Sequence, residues 1–162
     1  MAPSRQPGTI PWGTPSSSSD TARADGRRAT ALYLGGRSMG GRIASHLVAG
    51  GFPARGLIFL GYPLHSPRQP ERMRDAHLVR IGVPMLFLQG TRDAFARPDL
   101  LARTLDRLPT ATLHVLQGAD HSLVVRGRRA EDVIAELADV AAAWLASRGG
   151  MPASPSGSRN HG

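Results

Sequence analysis

The run Gly36-Arg-Ser38-Met-Gly40 sets a serine between two glycines. A serine hydroxyl is a weak nucleophile unless a base takes its proton, and the base needs an acceptor to hold it in the right tautomer. Both partners occur further along the chain. An apolar run ending Leu88-Gln89 leads into Gly90-Thr-Arg-Asp93, and another ending at Leu116 leads into Gln117-Gly-Ala-Asp-His121. Ser38, Asp93 and His121 in that order follow one of the chain orders known for nucleophile, acid and base. The chemistry such a set performs is acyl transfer, with the Met39 backbone N–H pointing at the developing oxyanion. Gly36 and Gly40 are expected to be the small positions that a sharp turn at the serine requires.

The pentapeptide alone says little in a chain with 19 glycines, and a serine capping a helix after a glycine turn is the alternative reading. Its setting strengthens the case, because it lies between a buried-type strand and a helix. Other candidates fit worse. Asp120 adjoins His121, so its side chain diverges from the ring it would have to orient, and it reads as a turn residue. Asp99 suits a helix N-terminus. His46 falls on a helix flank, His77 in a short helical region, His114 inside a strand and His161 in the tail, all as structural or solvated groups. His65, after the strand end in Gly61-Tyr-Pro-Leu-His65, could line a pocket or merely occupy a loop. No spacing of these residues suits a metal, so none is expected.

The elements that must bring these residues together are legible as an alternation. Ala31–Leu34, Gly56–Leu60, Pro84–Leu88 and Ala111–Leu116 are short apolar runs without period-2 polarity, as in strands buried on both faces of a parallel sheet. Between them lie helical segments at Met39–Ala49, with Ile43, Leu47 and Val48 on one face, and at Pro98–Leu108, opening with Pro98 and Asp99. A third helix, Ala130–Ser147, is expected to bury Val133, Ile134, Leu137, Val140, Ala141, Trp144 and Leu145. The Pro- and Arg-rich stretch 62–80 should hold a loop and a short helix around Glu71–His77. This pattern implies an α/β fold with a mostly parallel sheet of about four strands and flanking helices.

Composition narrows the function classes. The chain has 162 residues, 41% hydrophobic and 20% charged, which suits one globular domain. It has no cysteine, hence no thiolate nucleophile, disulfide or cysteine zinc site. No window has the length and apolarity of a membrane span and the first residues carry no signal-peptide pattern, so a cytoplasmic protein without membrane contact is expected. The net charge is +8, and all 20 basic residues are arginine. These are scattered rather than arranged as a stripe interleaved with aromatics, so no nucleic-acid partner is expected. Residues 1–28 and 149–162 are rich in Pro, Gly and Ser and read as a disordered arm and tail around a domain at 29–148.

The strings GGRSMGGR, GLIFLGYPLHSP, VPMLFLQGTRDAF and LHVLQGADHSL resemble the carboxyl-terminal half of the α/β-hydrolase fold, in its dienelactone-hydrolase-like branch. More narrowly, they are similar to the small hydrolases grouped with a subunit of the NSL histone-acetyltransferase complex. The resemblance covers roughly Ala29 to Arg148. It implies Ser38 as nucleophile, Asp93 as the acid, His121 as the base and Met39 as an oxyanion donor, in an esterase or thioesterase acting on a small acyl substrate without a cofactor. The connection from Tyr62 to Arg80 stands where larger relatives insert a lid, and is too short to bury a long acyl chain.

In that family further strands precede the nucleophile strand, and residues 1–28 hold neither these nor a His-Gly oxyanion loop. Two consequences are expected of a hydrolase domain lacking its amino-terminal strands. The first strand becomes an apolar edge open to a partner or to a second copy of the chain, so a non-catalytic interaction module or an inactive hydrolase remnant is the alternative function. The loss of one oxyanion donor lowers turnover by about 10² to 10³.

Overall fold

The computed structural model describes residues 32–149, and the arm and all of the tail beyond Gly149 lie outside them. Four parallel strands form one sheet in the order β1 (Tyr33–Arg37), β2 (Gly56–Leu60), β3 (Met85–Gly90) and β4 (Ala111–Leu116). Helix α1 (Met39–Ala49) joins β1 to β2 and α2 (Pro98–Leu105) joins β3 to β4, while α3 (Ala130–Gly149) follows β4. The connection from β2 to β3 is a long loop ending in a single 3₁₀ turn, Leu78–Arg80. This is the partial α/β-hydrolase architecture, a parallel four-stranded sheet with helices on its faces.

Strand alternation divides the core into two layers. Leu57, Phe59, Met85 and Phe87 point to one face, where they meet Ala44 of α1, Leu101 of α2, and Leu64 and Leu78 of the long loop. Leu86 and Leu88 point to the other face with Ile58 and Leu60, and pack on Val133, Leu137 and Trp144 of α3. On the first face Phe59, Tyr62 and Phe87 form an aromatic cluster with ring centroids 4.7–5.8 Å apart. β3, the strand that leads to Asp93, is buried along its whole length.

Several sequence expectations need correction. β1 begins two residues after Ala31 and runs on through Gly35 and Gly36, because pairing with β2 from Tyr33↔Gly56 to Arg37↔Leu60 overrides the low strand propensity of glycine. A Cβ on Gly35 would lie 2.8 Å from the Ile58 carbonyl oxygen, so that close pairing needs glycine. β1 and β4 are not buried on both faces; they are half-exposed outer strands among the described residues. α2 ends at Leu105, three residues early.

Of the apolar stripe expected on α1, only Val48 packs against the core. Gly41, Ala44 and Ser45 are buried, whereas Ile43 and Leu47 are 55% and 50% exposed. Close approach of Gly41 to β1 sets the rotation of the helix. Ile134 of α3 is likewise 65% exposed. The expected helix at Glu71–His77 is a series of turns, because tertiary partners capture its backbone. The Tyr62 hydroxyl donates to the Arg74 carbonyl, the Arg74 N–H donates to Leu64, and the Asp75 carboxylate accepts from Thr104 and Arg107.

Candidate active site

One residue, Ser38, turns the chain from β1 into α1. Its φ of 49° and ψ of −117° fall in a region costly for a residue with a side chain, on the order of 1–3 kcal/mol. Two backbone bonds hold it there. The Ser38 N–H donates to the Leu60 carbonyl at 3.0 Å, and its own carbonyl accepts from the Arg42 N–H at 3.2 Å.

The turn presses the start of α1 against β1. A Cβ on Gly36 would lie 2.6 Å from the Gly40 carbonyl carbon and 2.7 Å from the Gly41 nitrogen. A Cβ on Gly41 would lie 2.7 Å from the Gly36 oxygen and 3.1 Å from the Phe59 ring, whereas one on Gly40 would meet nothing within 4 Å. The sterically required pair is therefore Gly36 and Gly41. The expectation for Gly40 is corrected: at the second helical position its α-carbon faces open space, while Gly41 faces the strand.

His121 lies in the loop after β4, beside Gly61, whose φ is 63° and where a Cβ would come within 2.9 Å of the His121 carbonyl oxygen. The His121 Nε2 is 2.8 Å from Ser38 Oγ, and its Nδ1 is 2.9 Å and 3.0 Å from the two Asp93 carboxylate oxygens. With the carboxylate as acceptor, Nδ1–H donates to Asp93 and the Nε2 lone pair faces the Ser38 hydroxyl. The three residues named from the sequence thus meet in one hydrogen-bonded line. Phe95 packs its ring 4.4 Å from the imidazole.

The Asp93 side chain is fully buried, and a buried carboxylate must be hydrogen-bonded. Besides His121 it accepts from the Phe95 N–H at 2.7 Å and from the Gln89 amide, whose oxygen accepts the buried Tyr62 N–H at 2.9 Å. Gln89 escaped the sequence reading. Its signal is a lone polar side chain closing the apolar run Met85-Leu-Phe-Leu-Gln89, where β3 delivers the acid.

The remaining candidates separate cleanly. Asp120 is a turn residue, its carboxylate accepting from the Ser122 and Val124 N–H groups. Asp99 pairs with Arg97, whose guanidinium holds its carboxyl below the usual range. His114 contacts Glu136, and His77 is buried beside Ser45 and Tyr62. His65 is 1% exposed, donating from Nδ1 to the Ser66 carbonyl and accepting the Arg97 N–H at Nε2. It ties the loop after β2 to the Asp93–Arg97 loop; with both nitrogens so engaged, it fits the loop placement of the two readings left open. Among the described residues no cluster of His, Asp or Glu could hold a metal, and no helix is long and apolar enough to cross a membrane.

A cavity of about 290 Å³ lies between the end of β2, the loop after β4 and α3, and neither Ser38 nor His121 is among the residues that line it. Leu60, Leu123, Val125, Val133 and Leu137 supply apolar walls, and Arg37 and Ser122, the chain neighbours of Ser38 and His121, also line it.

Residues 7–146 match the alpha/beta hydrolase domain family. Among solved structures, a Thermus thermophilus protein is similar at 24% identity over 83% of this chain and 60% of that one, with a TM-score of 0.57. The esterase domain of a Rhodothermus marinus protein matches at 16% identity over 78% of this chain and 64% of its own, also at 0.57. A Coxiella burnetii alpha-beta serine hydrolase homologue matches at 17% identity over 78% and 54%, with a TM-score of 0.58. At these identities the likeness is one of fold, and this chain spans 54–64% of the length of those three proteins. With a family match over most of its length, this chain belongs to the α/β hydrolase family.

Proposed function

We propose that the chain is a serine hydrolase of the esterase or thioesterase type, acting on a small acyl substrate. The observation that carries this reading is the continuous line from Ser38 Oγ through His121 to the buried Asp93, at 2.8 Å and 2.9 Å, with Ser38 held in a strained turn. In this mechanism Ser38 Oγ attacks the acyl carbonyl carbon while its proton passes to His121 Nε2. Asp93 orients the ring and stabilises the imidazolium that forms. His121 then gives the proton to the departing alcohol or thiol, and a water attacking with His121 as base releases the acid and restores Ser38.

The Met39 N–H, at the start of α1, has no intrahelical acceptor and serves as an oxyanion donor. Within the family, the strings around Ser38, Asp93 and His121 favour the dienelactone-hydrolase-like branch and its NSL-associated group.

A fluorophosphonate probe tests the reading, since it reacts with serines activated in this way. The wild-type chain should be labelled and Ser38→Ala should not. Equal labelling of both proteins, or an unlabelled folded wild type, would remove the catalytic assignment.

A further inference from the structure

The arginines of the long β2–β3 loop play no part in the Ser38 site, yet two of them converge with α1 on a cleft of about 520 Å³. Arg42 and His46 line it from α1, Arg74 and His77 from the loop, and Arg80 from the 3₁₀ turn. Three arginines thus line one concavity of small-molecule size. None of the three pairs with a carboxylate among the described residues. The adjacent acid, Asp75, is already engaged by Thr104 and Arg107.

The wall is built rather than loose. The Arg74 backbone is held on both sides, its carbonyl by the Tyr62 hydroxyl at 3.0 Å and its N–H by Leu64 at 2.8 Å. The Arg80 N–H donates to the His77 carbonyl at 3.1 Å. The rings of His46 and His77 stack at 3.7 Å and 12°. Arg42 Nε is buried with no hydrogen-bond partner, a donor whose desolvation nothing among the described residues offsets. Burial, reinforced by repulsion from His46, Arg42 and Arg80, lowers the His77 pKa to about 4, so this ring is neutral at pH 7 and adds no charge to that of the arginines.

We propose that this cleft is a binding site for a small organic phosphate, whose oxygens would take the guanidinium donors of Arg42, Arg74 and Arg80. Phosphate fits better than a single carboxylate, because three forked donors call for a group with several acceptor oxygens and more than one negative charge. The site is separate from the hydroxyl of Ser38, and its occupation does not depend on hydrolytic activity.

Isothermal titration of the full chain with inorganic pyrophosphate at physiological salt tests this directly. The wild type should bind saturably at one site. Arg74→Gln and Arg80→Gln should each weaken binding by about tenfold or more, as expected for losing a charge-assisted pair. Arg103→Gln, an exposed substitution on α2 outside the cleft, should bind like the wild type. Thermal midpoints without pyrophosphate verify that the variants remain folded, and pyrophosphate should raise the midpoint of the wild type but not that of the Arg74→Gln/Arg80→Gln double variant. No saturable binding at millimolar pyrophosphate would overturn the proposal. Equal weakening by Arg103→Gln would do so too, since net charge alone would then explain the attraction.

Discussion

Glycines 36, 40 and 41 look interchangeable as letters, yet the structure assigns them opposite responses to a methyl group. At Gly36 the added carbon would sit 2.6–2.7 Å from backbone atoms of Gly40 and Gly41, and at Gly41 it would sit 2.7 Å from the Gly36 oxygen. Backbone on both sides cannot rotate away, so relief requires lifting α1 from the sheet. Such overpacking costs about 1–3 kcal/mol. At Gly40 the methyl meets nothing within 4 Å, and alanine in place of glycine in a helix stabilises by about 0.5–1 kcal/mol. For a chain of this size each kcal/mol moves the thermal midpoint by roughly 2–4 °C. Gly40→Ala should therefore melt at or slightly above the wild-type temperature, and Gly36→Ala and Gly41→Ala several degrees below it. Fluorophosphonate labelling adds a second readout, because lifting α1 lengthens the 2.8 Å contact between Ser38 and His121 and should slow the reaction in those two variants. If Gly40→Ala lost as much stability as Gly36→Ala, or if Gly41→Ala proved neutral, the steric account of the turn would be wrong.

Gln89→Leu should lower stability by about 1–3 kcal/mol, since it strands the buried Tyr62 N–H and removes a donor from Asp93; an unchanged urea midpoint would contradict this. Asp93→Asn should leave the fold in place but cut turnover of a small aryl ester by about 10⁴, because the amide can stabilise the wrong histidine tautomer. Turnover within tenfold of wild type would exclude Asp93 from the proposed role. His77 also makes stability depend on pH. Its folded pKa of about 4 lies below the ordinary 6.5, so the unfolded chain takes up the proton first. The stability this ring contributes is whole above pH 6.5 and is lost as pH falls toward about 4. Urea midpoints should decline across that interval in the wild type and decline less in His77→Gln; equal slopes would assign the pH dependence to other groups.

Much of the framework is a local property of the chain. The β2 and β4 boundaries follow from apolar runs closed by turn residues, and the α1 boundaries follow from helical spacing after a glycine-flanked serine. The positions of Asp93 and His121 after strand ends are visible for the same reason: a parallel sheet places the carboxyl ends of its strands along one edge, so residues just beyond them become neighbours. Three residues distant in sequence could therefore be named together without coordinates.

What the sequence could not settle depends on contacts between segments. The inward face of α1 is Gly41, Ala44 and Ser45 rather than Ile43 and Leu47, because the helix is rotated by its close approach to β1 and Phe59, not by its own hydrophobic pattern. The expected helix at Glu71–His77 yields to Tyr62, Leu64, Thr104 and Arg107, which bind its backbone and Asp75 from distant positions. Gln89 gains its bond to the Tyr62 N–H, and His65 its burial, only when the loops after β2 and β3 fold against each other. The types and order of the reactive groups belong to the chain alone. Their alignment, and the convergence of Arg42, Arg74 and Arg80 on one cleft, arise from packing, where a neighbour's backbone decides which way a side chain can point.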